Sequence, residues 1–263
     1  MAEYYAYICA LFIGAVLGLT GGGGSILTVP VLVYIIGLNP VVAAAYSLFI
    51  VGTTSAFGTI QNYAKGVVDV KTALMFALPS VTAIFLTRKF IVPAIPHEIA
   101  AIGTFVITRD MLLMLLFAGV MTFASLSMLL KRPEKDTVDV ANKPLLFLKI
   151  FAIGVLIGLV GAGGGFMIIP ALYLVAKLPM RTAIGTSLCI IALNSLIGFT
   201  GDIGHFEIDW IFLMLFSAIS VVGISVGIYL NRFFDDAMLR KIFGIFVLAM
   251  AAIIFTLEIY KAV

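Results

Sequence analysis

The sequence predicts an all-α integral membrane protein of two inverted-topology repeats, each a glycine-broken re-entrant helical hairpin plus three full transmembrane helices. Three observations carry this. First, 63% of the 263 residues are hydrophobic, 11% are charged and the mean hydropathy is +1.22, which excludes a water-soluble protein. Second, GAVLGLTGGGGSILTVP at 14–30 recurs as GVLIGLVGAGGGFMIIP at 154–170. Third, Lys and Arg cluster between the apolar stretches in a pattern that orients the two halves oppositely.

The duplication runs without a gap from Gly14–Val70 against Gly154–Trp210, pairing Gly14, Gly18, Leu19, Gly21, Gly23, Gly24, Pro30, Ser47, Leu48, Ser55, Gly58 and Asp69 with identical partners. Shared apolar bias would scatter Leu and Ile matches. Glycines and a proline held in one register mean the same backbone shape built twice, a recurrent plan for secondary transporters.

Along the chain, Met1 to Tyr7 carries Glu3 and no Lys or Arg, so it reads as part of the fold rather than a removable export signal. The apolar region 4–36 is cut by its glycine run into pieces too short to cross alone. A spanning helix needs roughly 20 apolar residues for about 30 Å, and 41–60, 70–87 and 111–130 supply three. The polar linker KRPEKDTVDVANK follows at 131–143, separating a first membrane repeat, 1–130, from a second, 144–263; together they make one transmembrane domain. In the second repeat 145–176 is the broken region, and 182–199, 210–229 and 240–259 are the spans.

Lys131, Arg132, Lys135, Lys143 and Lys149 place the linker in the cytoplasm. Lys177, Arg181, Arg232, Arg240 and Lys241 then read as inside, and the Lys- and Arg-free 200–209 loop as outside. This pattern requires 145–176 to enter and leave on one side. Lys65 puts 61–69 inside, so each half contributes three crossings and the second half is inserted upside down. Arg88, Lys89 and Arg109, in an expected outside loop at 87–110, run against the rule.

Gly21–Gly24 with Ser25, and Gly161–Gly165 with Ala162, cannot continue a stable helix. Irregular backbone at membrane depth must be covered by protein or line a polar cavity. Past each turn a half-helix restarts, its free N–H groups and positive dipole end suited to an anion. If it starts near Val29, Pro30 lies in its first turn; if at Ser25, Pro30 makes a kink. The candidate binding residues are therefore Gly22, Gly23, Gly24 and Ser25 in one half, and Gly163, Gly164 and Gly165 in the other. Close packing through small faces is the competing reading, and the better one for Gly14, Gly18, Gly154 and Gly158. No Lys-Ser or Lys-Thr follows the glycines, so a soluble phosphate loop is not supported.

Polar side chains inside spans cost free energy unless they face a partner or cavity. Ser47, Thr186, Ser187 and Asn194 join the candidate set, with Tyr46, Thr53, Thr54, Ser55 and Ser195 near them. Hydroxyl and amide donors bind an oxyanion and release it readily. The alternative for each is a bond to its own helix or a neighbour.

The repeated G-x-x-x-G-L-x-G-x-G-G-x-x-x-x-x-P element, followed by Gly185-Thr186-Ser187-Leu188 and by Ala45-Tyr46-Ser47-Leu48, resembles the TauE/SafE sulfite exporter family over nearly the whole chain. The first half departs from the second with Gly22 for Ala162, Ser25 for Gly165 and Tyr46 for Thr186. The resemblance implies a multi-pass permease of the cell membrane, working without ATP on sulfite, sulfoacetate, thiosulfate or a related anion.

The expected mechanism is alternating access, with the anion between the two glycine turns. No Lys, Arg, Asp or Glu is read deep in a span, so uniport driven by membrane potential stands beside proton coupling. Asp69 and Asp209 sit at span ends as helix caps, and His97 and His205 read as loop residues. Catalytic residues, metal ligands and cofactors are not expected. Cys9 and Cys189 lack a CxxC or a His neighbour, and the spans offer Ser and Thr but no general base, which argues against an intramembrane enzyme. A passive anion channel remains the alternative. The net charge of +3 resides in loops and implies no nucleic-acid partner.

Overall fold

In a computed structural model the chain is described over residues 2–102, 105–130, 143–160, 165–174 and 176–262, without the side chains of 2–6, 23, 25, 100–102, 105–107, 143–146, 166, 174, 261 and 262. Gly163, Gly164 and the linker residues 131–142 fall outside these, whereas Lys143 is already the first residue of a helix.

The first half comprises α1 Ala2–Thr20, α2 Gly23–Pro30, α3 Pro40–Ala64, α4 Val70–Leu86, the short α5 Val92–Ala94 and α6 Arg109–Leu130. The second comprises α7 Lys143–Val160, α8 Gly165–Leu174, α9 Met180–Thr200, α10 Trp210–Asn231 and α11 Asp236–Ala262. Among the described residues six stretches are long and apolar enough to span a bilayer: Pro40–Ala64, Val70–Ala94, Arg109–Leu130, Met180–Thr200, Trp210–Asn231 and Asp236–Tyr260. They coincide with the six spans read from the sequence.

Local chemistry sets the boundaries. Asn39 caps α3, its Oδ1 accepting from the Val41 N–H at 2.9 Å with Pro40 at the first helical position, where a missing N–H costs nothing. Asp69 and Asp209, 140 positions apart, cap α4 and α10 by accepting from the Thr72 and Phe212 N–H groups. Pro30 ends α2, and Val31–Ile35 continues as a π-helical turn, the wider winding that makes room for the ring. Pro170 lies inside α8. Both half-helices thus start at the glycines and carry the proline within.

Packing repeats with the same offset. α1 packs on α10 and α7 on α4; α3 packs on α10 and α9 on α4; α3 packs on its counterpart α9, and α6 on α11. Residue contacts give the directions. Gly14 abuts Ser220 and Gly18 abuts Ile224, as Gly154 abuts Ser80 and Gly158 abuts Ile84, so those pairs run parallel. Along α3 the order reverses: Gly198 meets Leu48, Gly52 meets Leu196 and Gly58 meets Leu188. α3 and α9 pass in opposite directions.

Two departures from the sequence reading lie between α4 and α6. α4 does not stop at its expected end but runs through a π-helical turn, Thr87–Ile91, into α5, carrying Arg88 and Lys89 with it. Arg109 opens α6, so none of the three cations that opposed the loop rule is a loop residue. Between the helices, Glu98–Ile102 and Phe105–Thr108 form an antiparallel hairpin. Its β-branched and aromatic residues, Ile99, Phe105, Val106, Ile107 and Thr108, favour that pairing over helix.

Candidate functional site

α1 ends at Thr20, and Gly21 turns the chain with φ +74, a conformation that a side chain would strain. α2 then folds back so that Gly24 lies on the Ile13 carbonyl and Leu17. Gly22 precedes α2 as its N-cap residue with no side chain to cap it. In the second half α7 ends at Val160 and α8 begins at Gly165.

The two half-helices meet start to start. A Cβ on Gly22 would lie 2.5 Å from the Gly165 carbonyl carbon, and one on Gly165 would strike Gly22 Cα. Only glycine permits this approach, and it brings together backbone that the duplication put 143 positions apart. Each half-helix leaves its first N–H groups without intrahelical acceptors, and the aligned dipoles make that end positive.

Around this junction the candidate side chains divide into two sets. Ser187 is held: its Oγ lies 2.8 Å from the carbonyls of both Gly21 and Ile184, pinning the turn to α9. Thr186 Oγ1 accepts the Asp69 N–H at 2.9 Å, and Tyr46 Oη accepts the Asp209 N–H at 2.7 Å. Positions 46 and 186 are equivalents, as are 69 and 209, so Tyr and Thr do one job with different reach. Both tie a helix of one half to the loop that starts a helix of the other.

Asn194 and Ser47 belong to the second set. Ser80 Oγ stands 2.9 Å from Asn194 Oδ1, while Asn194 Nδ2 has no hydrogen-bond partner among the described residues, nor have Ser47 Oγ, Thr54 Oγ1, Ser55 Oγ and Ser195 Oγ. All five side chains are at most 1% exposed, and all are on α3 or α9. Buried polar groups are almost always paired, and each orphan costs about 1–3 kcal/mol. Thr54 and Asn194 are equivalents, and the α3–α9 contacts place them near the crossing. Of Ser25 only its place within α2 is described, and of Gly23 that it opens that helix.

Sequence reasoning missed two buried polar pairs. Arg88, fully buried, donates from Nε to Asp202 Oδ2 at 2.8 Å, and its Nη2 pairs with Oδ1 at 2.7 Å. Burial pushes the Asp202 carboxyl up, against the pull of Arg88 and of His205. Tyr34 donates to Glu258 Oε1 at 2.7 Å, Glu258 being 6% exposed. Both pairs lie toward the ends of spans rather than deep in them, Arg88 in the stretch that prolongs α4 and Glu258 in the last turns of α11. The disobedient cations at 88 and 89 were the available signal for the first pair. Among the described residues no cluster of His, Cys, Asp or Glu could hold a metal.

Comparison with known proteins agrees in scale. A family described as Sulfite exporter TauE/SafE matches residues 6–254. The chain is 32% identical over 247 residues to a probable membrane transporter protein of Xylella fastidiosa (strain 9a5c), covering 91% of this chain and 89% of the relative. It is 26% identical to the probable membrane transporter protein YunE of Bacillus subtilis, over 86% and 87% of the two chains. A probable membrane transporter protein of Methanocaldococcus jannaschii is 35% identical over 41% of this chain and 43% of its own. No solved structure matches.

Proposed function

The chain belongs to the TauE/SafE sulfite exporter family, a multi-pass membrane transporter rather than an enzyme, and we propose that it is a secondary permease for a small sulfur-containing anion such as sulfite, sulfoacetate or thiosulfate. The anion is held where α2 and α8 begin and is exposed alternately to the two sides as the halves rock. The halves are an inverted repeat: equivalent helices α3 and α9 run in opposite directions, as a two-fold axis in the membrane plane demands. α1–α2 and α7–α8 are its re-entrant hairpins.

The observation that carries this reading is the meeting of Gly22 with Gly165. Two helix starts aimed at one point concentrate N–H donors and positive dipole ends without a fixed cation. The orphaned donors of Ser47, Thr54, Ser55, Asn194 and Ser195 on α3 and α9 offer neutral hydrogen bonds along the path. Neutral donors suit a carrier, which must release what it binds.

The test is counterflow of radiolabelled sulfite, thiosulfate, sulfoacetate and acetate in proteoliposomes holding the purified protein. Saturable counterflow of a sulfur anion is expected, with Gly22→Val, whose side chain would enter the Gly165 backbone, falling below roughly a tenth of wild type, as loss of about 1.4 kcal/mol at the site implies. Flux without counterflow would make the protein a channel. No flux of any sulfur anion would overturn the substrate assignment.

A further inference from the structure

Arg88 spends only part of its donor capacity. A guanidinium carries five N–H donors; Nε and Nη2 grip both oxygens of Asp202, the Val41 carbonyl stands 3.5 Å from Nη2, and Nη1 has no hydrogen-bond partner among the described residues. The side chain is 0% exposed within the Val70–Ala94 span. A fully buried cation in an apolar span is costly, and such residues mark ion paths.

The pair has no twin. The equivalents of Arg88 and Asp202, 140 positions away, are Ile228 and Asn62, and Asn62 Nδ2 simply donates to the Gly58 carbonyl of its own helix at 3.0 Å. Arg88 also lies beside Gly201, at the C-terminal end of α9, whereas the turn at Gly21 contacts Ile184 near the start of that helix. The cation is thus at one end of the central helix pair, away from the glycine junction.

We infer that Arg88 is a second anion site, at one end of the bundle only, where the Asp202 carboxylate occupies a seat that a substrate oxyanion takes during passage. The two-oxygen grip on Asp202 is the geometry an arginine presents to any small oxyanion, and the spare Nη1 hydrogens add donors that a carboxylate alone does not use. Exchange of one oxyanion for another leaves the guanidinium compensated throughout. The inference rests on the anion-transport reading, and it makes the two ends of the pathway chemically unequal: one carries a charge, and the equivalent place at the other has Ile228 and Asn62 instead.

The experiment has two arms on the purified full-length protein in gluconate buffer. One measures thermal stabilisation by sulfite, thiosulfate and sulfate; the other measures KM and Vmax for sulfite counterflow. Asp202→Asn, which vacates the seat, is expected to be stabilised by these anions more than wild type, and Arg88→Gln less than wild type. Arg88→Gln should also raise KM about tenfold, the loss of a charge-assisted contact. A KM unchanged in Arg88→Gln, no anion-dependent stabilisation of Asp202→Asn, or wild-type KM restored by the swap Arg88→Asp with Asp202→Arg would reduce the pair to a brace and overturn the inference. If Asp202→Asn does not fold, the double variant Arg88→Gln/Asp202→Asn, which leaves no lone charge, decides: a tenfold higher KM supports the site and a wild-type KM removes it. Should wild type move no sulfur anion, the transport reading fails, while the stabilisation arm still rules on Arg88.

Discussion

The α1–α10 and α7–α4 interfaces are one interface built twice, and they are not equally tight. In the first, Gly14 and Gly18 lie against backbone of Ser220, Ile224 and Gly227, and Gly223 and Gly227 reciprocate against Leu11, Ala15 and Leu19. In the second, Gly154 and Gly158 keep their place, but Ala83 and Thr87 stand where the glycines of α10 were, their Cβ atoms 2.7 Å from where a Cβ on each glycine would be. Small residues let helix backbones touch in a medium that offers no hydrophobic drive between helices. The comparison teaches that α1 and α7 carry the part of the seam that both halves keep, while the partner helix was free to change. The change on α4 brought polar residues: Thr87, and beside it Arg88.

The widest predicted difference between the halves lies at that arginine. Asp202→Asn leaves a buried cation alone and should destabilise the protein by about 3–5 kcal/mol, whereas Asn62→Leu at the equivalent place removes one hydrogen bond and should cost about 1 kcal/mol. Melting of the detergent-solubilised variants measures both. Equal losses would mean that the ends are closed by the same forces, and the asymmetry drawn here would be wrong.

Next come the seams. Gly18→Val drives a side chain into the Ile224 carbonyl and should cost about 3 kcal/mol, at the upper end of overpacking effects. Gly158→Val meets the Thr87 Cβ rather than a backbone carbonyl; rotation of Thr87 relieves only its methyl, the looser α7–α4 seam must give by the rest, and about 2 kcal/mol is expected. Denaturant titration of the two variants ranks them; a larger loss for Gly158→Val would invert the comparison.

The bonds that cross between halves should differ least. Tyr46→Phe and Thr186→Val each strip the acceptor from one backbone N–H, of Asp209 and Asp69, and each should cost about 1 kcal/mol. Matching losses would show that a tyrosine and a threonine fill one role. A silent Thr186→Val would show that only the first half relies on it.

What could be read from the sequence follows from what repeats. Glycine and proline leave a register because backbone shape demands them, so the breaks, the six spans and the offset of 140 were legible. The hydroxyls were legible only as a class. Ser47 and Ser187 are identical in the alignment of the halves, yet one is orphaned and the other bonds Gly21, a difference that packing decides. Arg88 and Asp202 were not legible, because they are 114 positions apart, have Ile228 and Asn62 at their equivalent positions, and adjoin a π-helical turn that extends α4 past the point where the charge reads as an end. The hairpin at Glu98–Thr108 was missed for a different reason: 87–110 reads as a loop between spans, and a short apolar, β-branched run within it pairs with its neighbour instead.

The smallest expected effect concerns the caps, where pH sharpens the test. The Thr72 N–H, 3.1 Å away, and the Thr72 hydroxyl, 2.8 Å away, hold the Asp69 carboxyl below its usual range. A carboxylate whose folded-state affinity for protons is depressed stabilises the fold above its unfolded pKa, near 3.9, and that stabilisation is lost as pH falls through the lower folded value. Asp69→Ala should therefore cost about 0.5 kcal/mol at neutral pH, the low end for a cap that is partly exposed. The gap between variant and wild type should stay constant down to about pH 5 and close below pH 4, where protonation disables the wild-type cap. Melting curves of the two proteins across that range measure it. A gap that persists undiminished at the acid end would mean that Thr72 is held by shape rather than by charge, and the cap would then be a packing feature shared by both halves rather than an electrostatic one.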